Sequence, residues 1–435
     1  MNLTQTRLLE LVKYVGHLYT FSIQEDRPGD IDLLEKILKT FDGKNRRLPS
    51  VLAESLGVQC ERYVLRCRWG GIVRICSDIL EPRFTSDGQC CTFNYARWKD
   101  HFSSATENFI APVLKSEIAG WDFGLSLLLD ARAEDYFYQL LPMVGFKVVV
   151  YASTDFPDPP SGGAKEVLVE AGTESYINIG AYVFDSKQDV EKIDASKRVC
   201  RFKNELKSRF GGRYSFSDCI MDCRVRDIVQ KCDCIPFFNP RPSGLGKSQC
   251  SLEQLKCLNH FQSRWWGMSP IFEADASYPP DAFKEIPEGH LDCDCKPTCD
   301  NIDYTVSTGF GNLENKIISW DKARNALTPN PNHAVLHVYF GSPVVMKLEH
   351  DVQYYWYELM SNYGALCSIF LGLSLMSAIE VIYKFSRRLW RKSKKIEGIP
   401  VKVRPVNEKL ISFISEKDPQ IFCPQIDTRE IGGAF

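Results

Sequence analysis

The chain has 435 residues, 25% of them charged, and a formal net charge of -2. That length is enough for two or three soluble domains, or for one large domain and a membrane segment. The near-zero balance excludes nucleic acid as the main partner, because binding phosphates needs a basic face. Residues 1–50 read as helical, with amphipathic spacing in LLELVKYV and IDLLEKILKTF. From Cys60 to Tyr95 the pattern is short, cysteine-rich and turn-rich. Residues 104–190 carry strand signals: FKVVVYA (146–152), KEVLVEAG (165–172) and YINIGAYVF (176–184) mix β-branched and aromatic residues. Between them DFPDPPSGG (155–163) is a surface loop by its proline and glycine content. Residues 200–235 are expected to be helical with cysteines on one face, and 236–290 to be irregular. A further strand pair, DYTVSTGF (303–310) and AVLHVYFG (334–341), follows.

The last element is an uncharged run of 21 residues, Leu359–Ile379. As a helix it would rise about 30 Å, the thickness of a bilayer's hydrocarbon core. Tyr355 and Trp356 before it, and Tyr383 and Trp390 after it, suit the aromatic belts of both interfaces. Seven basic residues from Lys384 to Lys395 follow without an intervening acid, which keeps that end cytoplasmic. The expected organisation is an extracellular domain over 1–353, a transmembrane helix over 354–384 and a cytoplasmic tail over 385–435. Within the span, Ser361, Gly364, Ser368 and Gly372 are spaced 3, 4 and 4 residues apart and form one helical stripe. Such a stripe either faces water or packs a sister helix.

There are 17 cysteines, 15 of them between Cys60 and Cys299. That density outside the membrane implies disulfides in an oxidising compartment. Zinc is a poorer reading, because two tight pairs are Cys-x-Cys rather than Cys-x2–4-Cys. The densest set runs over 200–299. Cys219 and Cys223 lie one helical turn apart, and Cys293 and Cys295 share a face if that segment is extended. A helix antiparallel to that strand favours nested rungs: Cys223–Cys293, Cys219–Cys295 and Cys200–Cys299. Cys234–Cys250 inside Cys232–Cys257 would close the excursion between them. Ten cysteines allow hundreds of pairings, so the nesting is a steric preference.

These motifs, in order, resemble one family. YSFSDCIMDCRVRDIVQKCDCIPFFNP, a later cysteine pair, LDCDCKPTC, and a final span with Gly372-Leu373-Ser374 and Glu380 look like the degenerin/epithelial sodium channels. RCRWGGIVRIC and GQCCTFNY are most similar to its insect pickpocket branch. The resemblance covers nearly everything from Cys60 to Trp390. It implies an α+β fold of the acid-sensing/epithelial sodium channel type: a disulfide-rich extracellular domain with a palm β-sheet and finger and thumb helices, above transmembrane helices. In that family the 200–299 cysteines form the nested thumb ladder. The implied function is a subunit of a homo- or hetero-trimeric, amiloride-sensitive, sodium-permeable channel of the plasma membrane. Its implied partners are sister subunits, sodium ions and membrane lipid.

The family's filter matches Gly372, Leu373 and Ser374. The position whose enlargement holds many family channels open matches Ser361, and Glu380 matches an acid beyond the filter. The remaining pore-lining positions are Gly364, Ser368 and Ser377. In a continuous helix Ser374, Ser377 and Glu380 fall on the side opposite the Ser361–Gly372 stripe, so the helix is expected to break or swivel at Gly372–Ser374. Cys67–Cys76 matches a family pair, leaving Cys60–Cys91 as the expectation for two others. Cys90, Cys367 and Cys423 are expected to be unpaired.

The resemblance also implies a first transmembrane helix, and the numbering is expected to begin just past it. No enzyme motif is present, and no cofactor or metal is expected. His333 and His337 are four apart in a strand-like run, where that spacing is unremarkable. The competing reading is a single-span, non-conducting receptor or adhesion subunit, or a truncated regulatory isoform.

Overall fold

In the computed structural model the chain divides into two compact units, Met1–Val352 and Gln353–Phe435. The structure describes residues 4–24, 27–42, 57, 59–96, 113–136, 138–210, 213–240, 244–266, 291–313, 330–372 and 374–396. The amphipathic stretches at the start form helices α1 (Gln5–Val12) and α2 (Asp30–Asp42). They turn Leu11 and Leu34 inward, onto an aromatic cluster with Phe21, Phe237 and Trp265.

The first large unit is built on a seven-stranded sheet. Its strands are β1 (Val64–Trp69), β2 (Ile72–Arg74), β5 (Leu125–Asp130), β8 (Thr173–Ser186), β9 (Asn301–Asn312), β10 (His333–Phe340) and β11 (Met346–His350). Two hairpins stand apart from it: β3 (Leu80–Thr85) with β4 (Gly88–Phe93), and β6 (Gly145–Val150) with β7 (Lys165–Glu170). The order is β11-β8-β10-β5-β1-β2, with β9 along the other edge of β8. Strand β8 is the axis: β9 runs antiparallel along it, while β10 and then β11 lie parallel to its other edge. β5 is buried on both faces. Leu125, Leu127 and Leu129 join Val64, Leu336 and Ile177 on one side, and Leu128 meets Val335 on the other. That alternation follows from the two-residue period of a strand.

Helix α3 (Phe216–Cys232) carries the disulfides. Cys219 binds Cys295 and Cys223 binds Cys293, with Cys200–Cys299 beyond them. Cys232–Cys257 and Cys234–Cys250 hold the excursion after the helix. Cys60–Cys91 and Cys67–Cys76 fasten the β1–β4 region. A buried ion pair also fixes α3, with Arg224 Nη1 donating to Asp158 Oδ2 at 2.8 Å.

Two local expectations change. Residues 200–210 and 213–215 are not helical, and Arg201 pairs backbone to backbone with Pro297 and Cys299, which extends the chain there. Part of the expected irregular stretch 236–290 is helix α4 (Leu255–Trp266), which places Leu255, Leu258 and Trp265 in the core. Ser251 and Gln254 hydrogen-bond each other just ahead of it. Residues 267–290 lie outside the described residues, as do Asn2 and the tail from 397 onward.

The second unit holds α5 (Trp356–Leu371) and α6 (Leu375–Ile396). The transmembrane segment expected over 354–384, with a break at Gly372–Ser374, is thus divided into two helices. Gly372, at φ 61° and ψ 21°, turns left-handed and ends α5 after 16 residues, about 24 Å of helix. α6 is longer, but its second half carries the basic cluster. Among the described residues, no helix is long and apolar enough to cross a membrane.

Replacing Cys219 and Cys295 together by serine removes a rung that closes 76 residues. We expect the unfolding free energy to fall by about 2–5 kcal/mol. Denaturant titration of the purified protein without reductant measures this, and in reductant the two proteins should unfold alike.

Candidate functional site

The apolar segment is organised around its break. At its start, Glu358 Oε2 accepts the Tyr355 N–H at 3.1 Å, and Tyr355 O accepts the Leu359 N–H at 3.0 Å. This closes the first turn of α5 with an acid near its N-terminus, where the helix dipole favours negative charge. At the other end the Gly372 N–H donates to Cys367 O. A Cβ at Gly372 would meet nothing within 4 Å, so the glycine is needed for its positive φ and not for space.

The chain restarts at Ser374. Its Oγ accepts the Ser377 N–H at 3.2 Å and lies 3.0 Å from Ser377 Oγ. Its carbonyl accepts the Ala378 N–H at 3.1 Å. Ser374 is therefore the N-cap of α6, satisfying amides that a helix start leaves without partners. Sequence reasoning gave this serine a pore role and missed the cap. The signal was present in the Ser374-x-x-Ser377 spacing.

Ser361, Gly364 and Ser368 lie on α5, and all three are exposed. Ser377 is half-buried and Glu380 exposed on α6, with Glu380 Oε2 3.8 Å from Lys384 Nζ. The break at Gly372 thus separates the first group from the second. Leu373 lies outside the described residues. Trp356, Ile369, Phe370, Met376 and Ile382 are each more than half exposed. Apolar side chains uncovered around a helix are stable only against lipid or another helix.

Cys90 and Cys367 are free thiols, and Cys423 lies outside the described residues. Burial pushes the Cys90 thiol up to about 11, and its Sγ sits 3.2 Å from Thr85 Oγ1. Among the described residues no group of His, Cys, Asp and Glu could hold a metal ion. His333 Nδ1 accepts the Asn330 N–H at 3.2 Å, while His337 joins a different cluster with Ser126 and Glu174.

Residues 6–384 match the family model described as "Amiloride-sensitive sodium channel". The chain is 26% identical over 392 residues to Sodium channel protein Nach of Drosophila melanogaster, covering 87% of this chain and 67% of that protein. It is 25% identical over 371 residues to Sodium channel protein Nach of Drosophila ananassae, covering 85% of this chain and 64% of that protein. A more distant relative is epithelial sodium channel subunit alpha of Neoceratodus forsteri, 22% identical over 347 residues, 77% of this chain and 47% of that protein.

Replacing Ser374 by alanine removes the cap and costs about 1 kcal/mol of helix stability. Hydrogen exchange at Met376–Ala378 should then quicken about fivefold, while Ser374→Asn leaves it near the wild-type rate.

Proposed function

Because the chain belongs to the amiloride-sensitive sodium channel family, we propose that it is a subunit of a trimeric, amiloride-sensitive, sodium-permeable channel of the plasma membrane. The observation that carries this reading is the break at Gly372–Ser374 inside an otherwise uncharged apolar run. A plain lipid anchor has no use for a helix that stops and restarts at bilayer depth. Backbone freed from helical bonding is tolerated there only where it lines a water-filled cavity.

The broken segment, and not one continuous helix, then spans the membrane and lines the pore. The C-terminal end of α5 carries the negative end of its helix dipole, which favours a cation at the Gly372 turn. Carbonyls of Gly372 and Leu373 and the Ser374 hydroxyl would replace part of the ion's hydration shell. Ser361, Gly364 and Ser368 line the outer half, and Ser377 and Glu380 the inner half, where Glu380 attracts cations. The disulfide-rich unit lies outside the cell, as its seven disulfides require an oxidising compartment. Its seven-stranded sheet takes the place of the palm and α3 that of the thumb. Lys384–Lys395 keep the far end cytoplasmic.

The test is expression of the full-length product of its transcript in oocytes, with sodium current recorded with and without amiloride. We expect an amiloride-blocked inward current that rises several-fold with Ser361→Phe and is lost with Gly372→Leu. Surface-expressed protein that carries no such current, even with Ser361→Phe, would sink the channel reading.

A further inference from the structure

The centre of the sheet holds a titratable group that conduction does not use. His337 lies on β10 between Ser126 of β5 and Tyr176 of β8, its register partners on either side. Its ring is 1% exposed and Ser126 is 0% exposed. Ser126 Oγ is 2.8 Å from Nδ1, and Glu174 Oε1 is 3.1 Å from Nε2. Tyr176 stacks on the ring at 4.7 Å between centroids, and Trp121 meets it edge-on at 5.4 Å. Tyr176 also donates to Glu174 Oε1 at 3.0 Å.

The proton positions follow from the partners. An ionised carboxylate only accepts, so Nε2 carries the hydrogen of the neutral ring. Nδ1 is then an acceptor, filled by the Ser126 hydroxyl. Serine, histidine and glutamate in line resemble a hydrolytic triad, but a serine at 0% exposure inside a sheet reaches no substrate. Taking up a proton requires Nδ1 to become a donor. Ser126 must then turn from donor to acceptor and aim its own hydrogen elsewhere, although the serine itself is fully buried. Every contact of the neutral ring is satisfied, whereas the charged ring requires the buried Ser126 hydroxyl between β5 and β10 to reverse its role.

We infer that His337 is a buried proton-binding site whose occupation under mild acid weakens the β5–β10–β8 seam. The charged and titratable groups around it are few. Glu174 faces it from β8 with Tyr176, and Asp122 follows Trp121 in the loop before β5. Arg68 of β1 sits across from Ser126, and its Nη2 donates to Asp122 at 2.8 Å, so its charge is largely matched. Burial holds the ring below the ordinary histidine range, against the upward pull of Glu174. The folded sheet therefore resists a proton that the unfolded chain accepts. Stability is full at neutral pH and falls as pH drops through the ordinary histidine range towards the lower folded value.

The experiment is thermal unfolding of the full chain in detergent across pH 7.5 to 5, and it does not depend on conduction. The wild-type protein should lose thermal stability over that window. His337→Gln should remove more than half of the loss. Glu174→Gln should move its midpoint about one pH unit further into acid, since an opposite charge has been removed. A His337→Gln profile that follows wild type overturns the inference. If His337→Gln does not fold, Glu174→Gln decides: its side chain is 39% exposed, and an unmoved or raised midpoint overturns the inference equally.

Discussion

The fastening of one helix sets the arrangement of the larger, disulfide-rich unit. Phe216–Cys232 is tied by Cys219 and Cys223 to Cys295 and Cys293, and by Cys232 to Cys257. Without those bonds, the chain from 233 to 292, between the helix and Cys293, would have to be positioned by packing alone. With them, the helix becomes the frame on which neighbouring groups settle. Arg224 reaches Asp158 in the proline-rich loop, and its guanidinium lies 4.9 Å over the Trp266 ring. Asp227 accepts from Arg264 Nε at 3.0 Å and Trp265 Nε1 at 2.7 Å. Burial pushes the Asp227 carboxyl up, but these bonds outweigh it and hold it below the usual carboxylate range. A half-buried carboxylate so fully paired is costly to orphan, so the helix end is tied to Leu255–Trp266.

The sheet solves a different problem. Its strand Thr173–Ser186 has 14 residues, far longer than the two parallel partners it serves in succession. Between those partners Gly341 comes so near Asn178 that a Cβ would lie 2.2 Å from its Oδ1. A side chain there would push the Asn178 amide aside, and glycine avoids that at the interruption between the two partners. The second unit uses glycine for another purpose. Gly372 has open space around it and supplies a left-handed turn, after which Ser374 caps the next helix.

Much of this was legible in particular residues. The change of face between the Ser361–Gly372 stripe and Ser374, Ser377 and Glu380 marked a break, and glycine takes a positive φ cheaply there. Cysteines one helical turn apart, opposite cysteines two residues apart, marked a nested order of rungs, and the rungs in the structure have that order. The strand signals at 146–152, 165–172 and 176–184 coincide with strands because β-branched residues suit a pleated, half-buried surface. Residues 200–210 and 213–215 were misread as helix, since nothing local reveals that Arg201 pairs with a segment almost a hundred residues away. The helix Leu255–Trp266 was hidden by the composition around it, although its leucines and tryptophan have helical spacing.

By itself the sequence determined the chemistry of each region: which stretch is apolar, where positive charge stops, which cysteines are dense enough to need oxidation, and to which family the motifs belong. Those are properties of residue type and spacing, and no folding is needed to read them. Tertiary structure alone decided which residues share a site. Ser126, Glu174 and His337 are separated by up to 211 positions, and only strand pairing gathers them around one ring. Asp158 and Arg224 meet in the same way. The reason is that sequence spacing fixes which face a side chain takes within its own element, while the partner on that face is chosen by long-range packing.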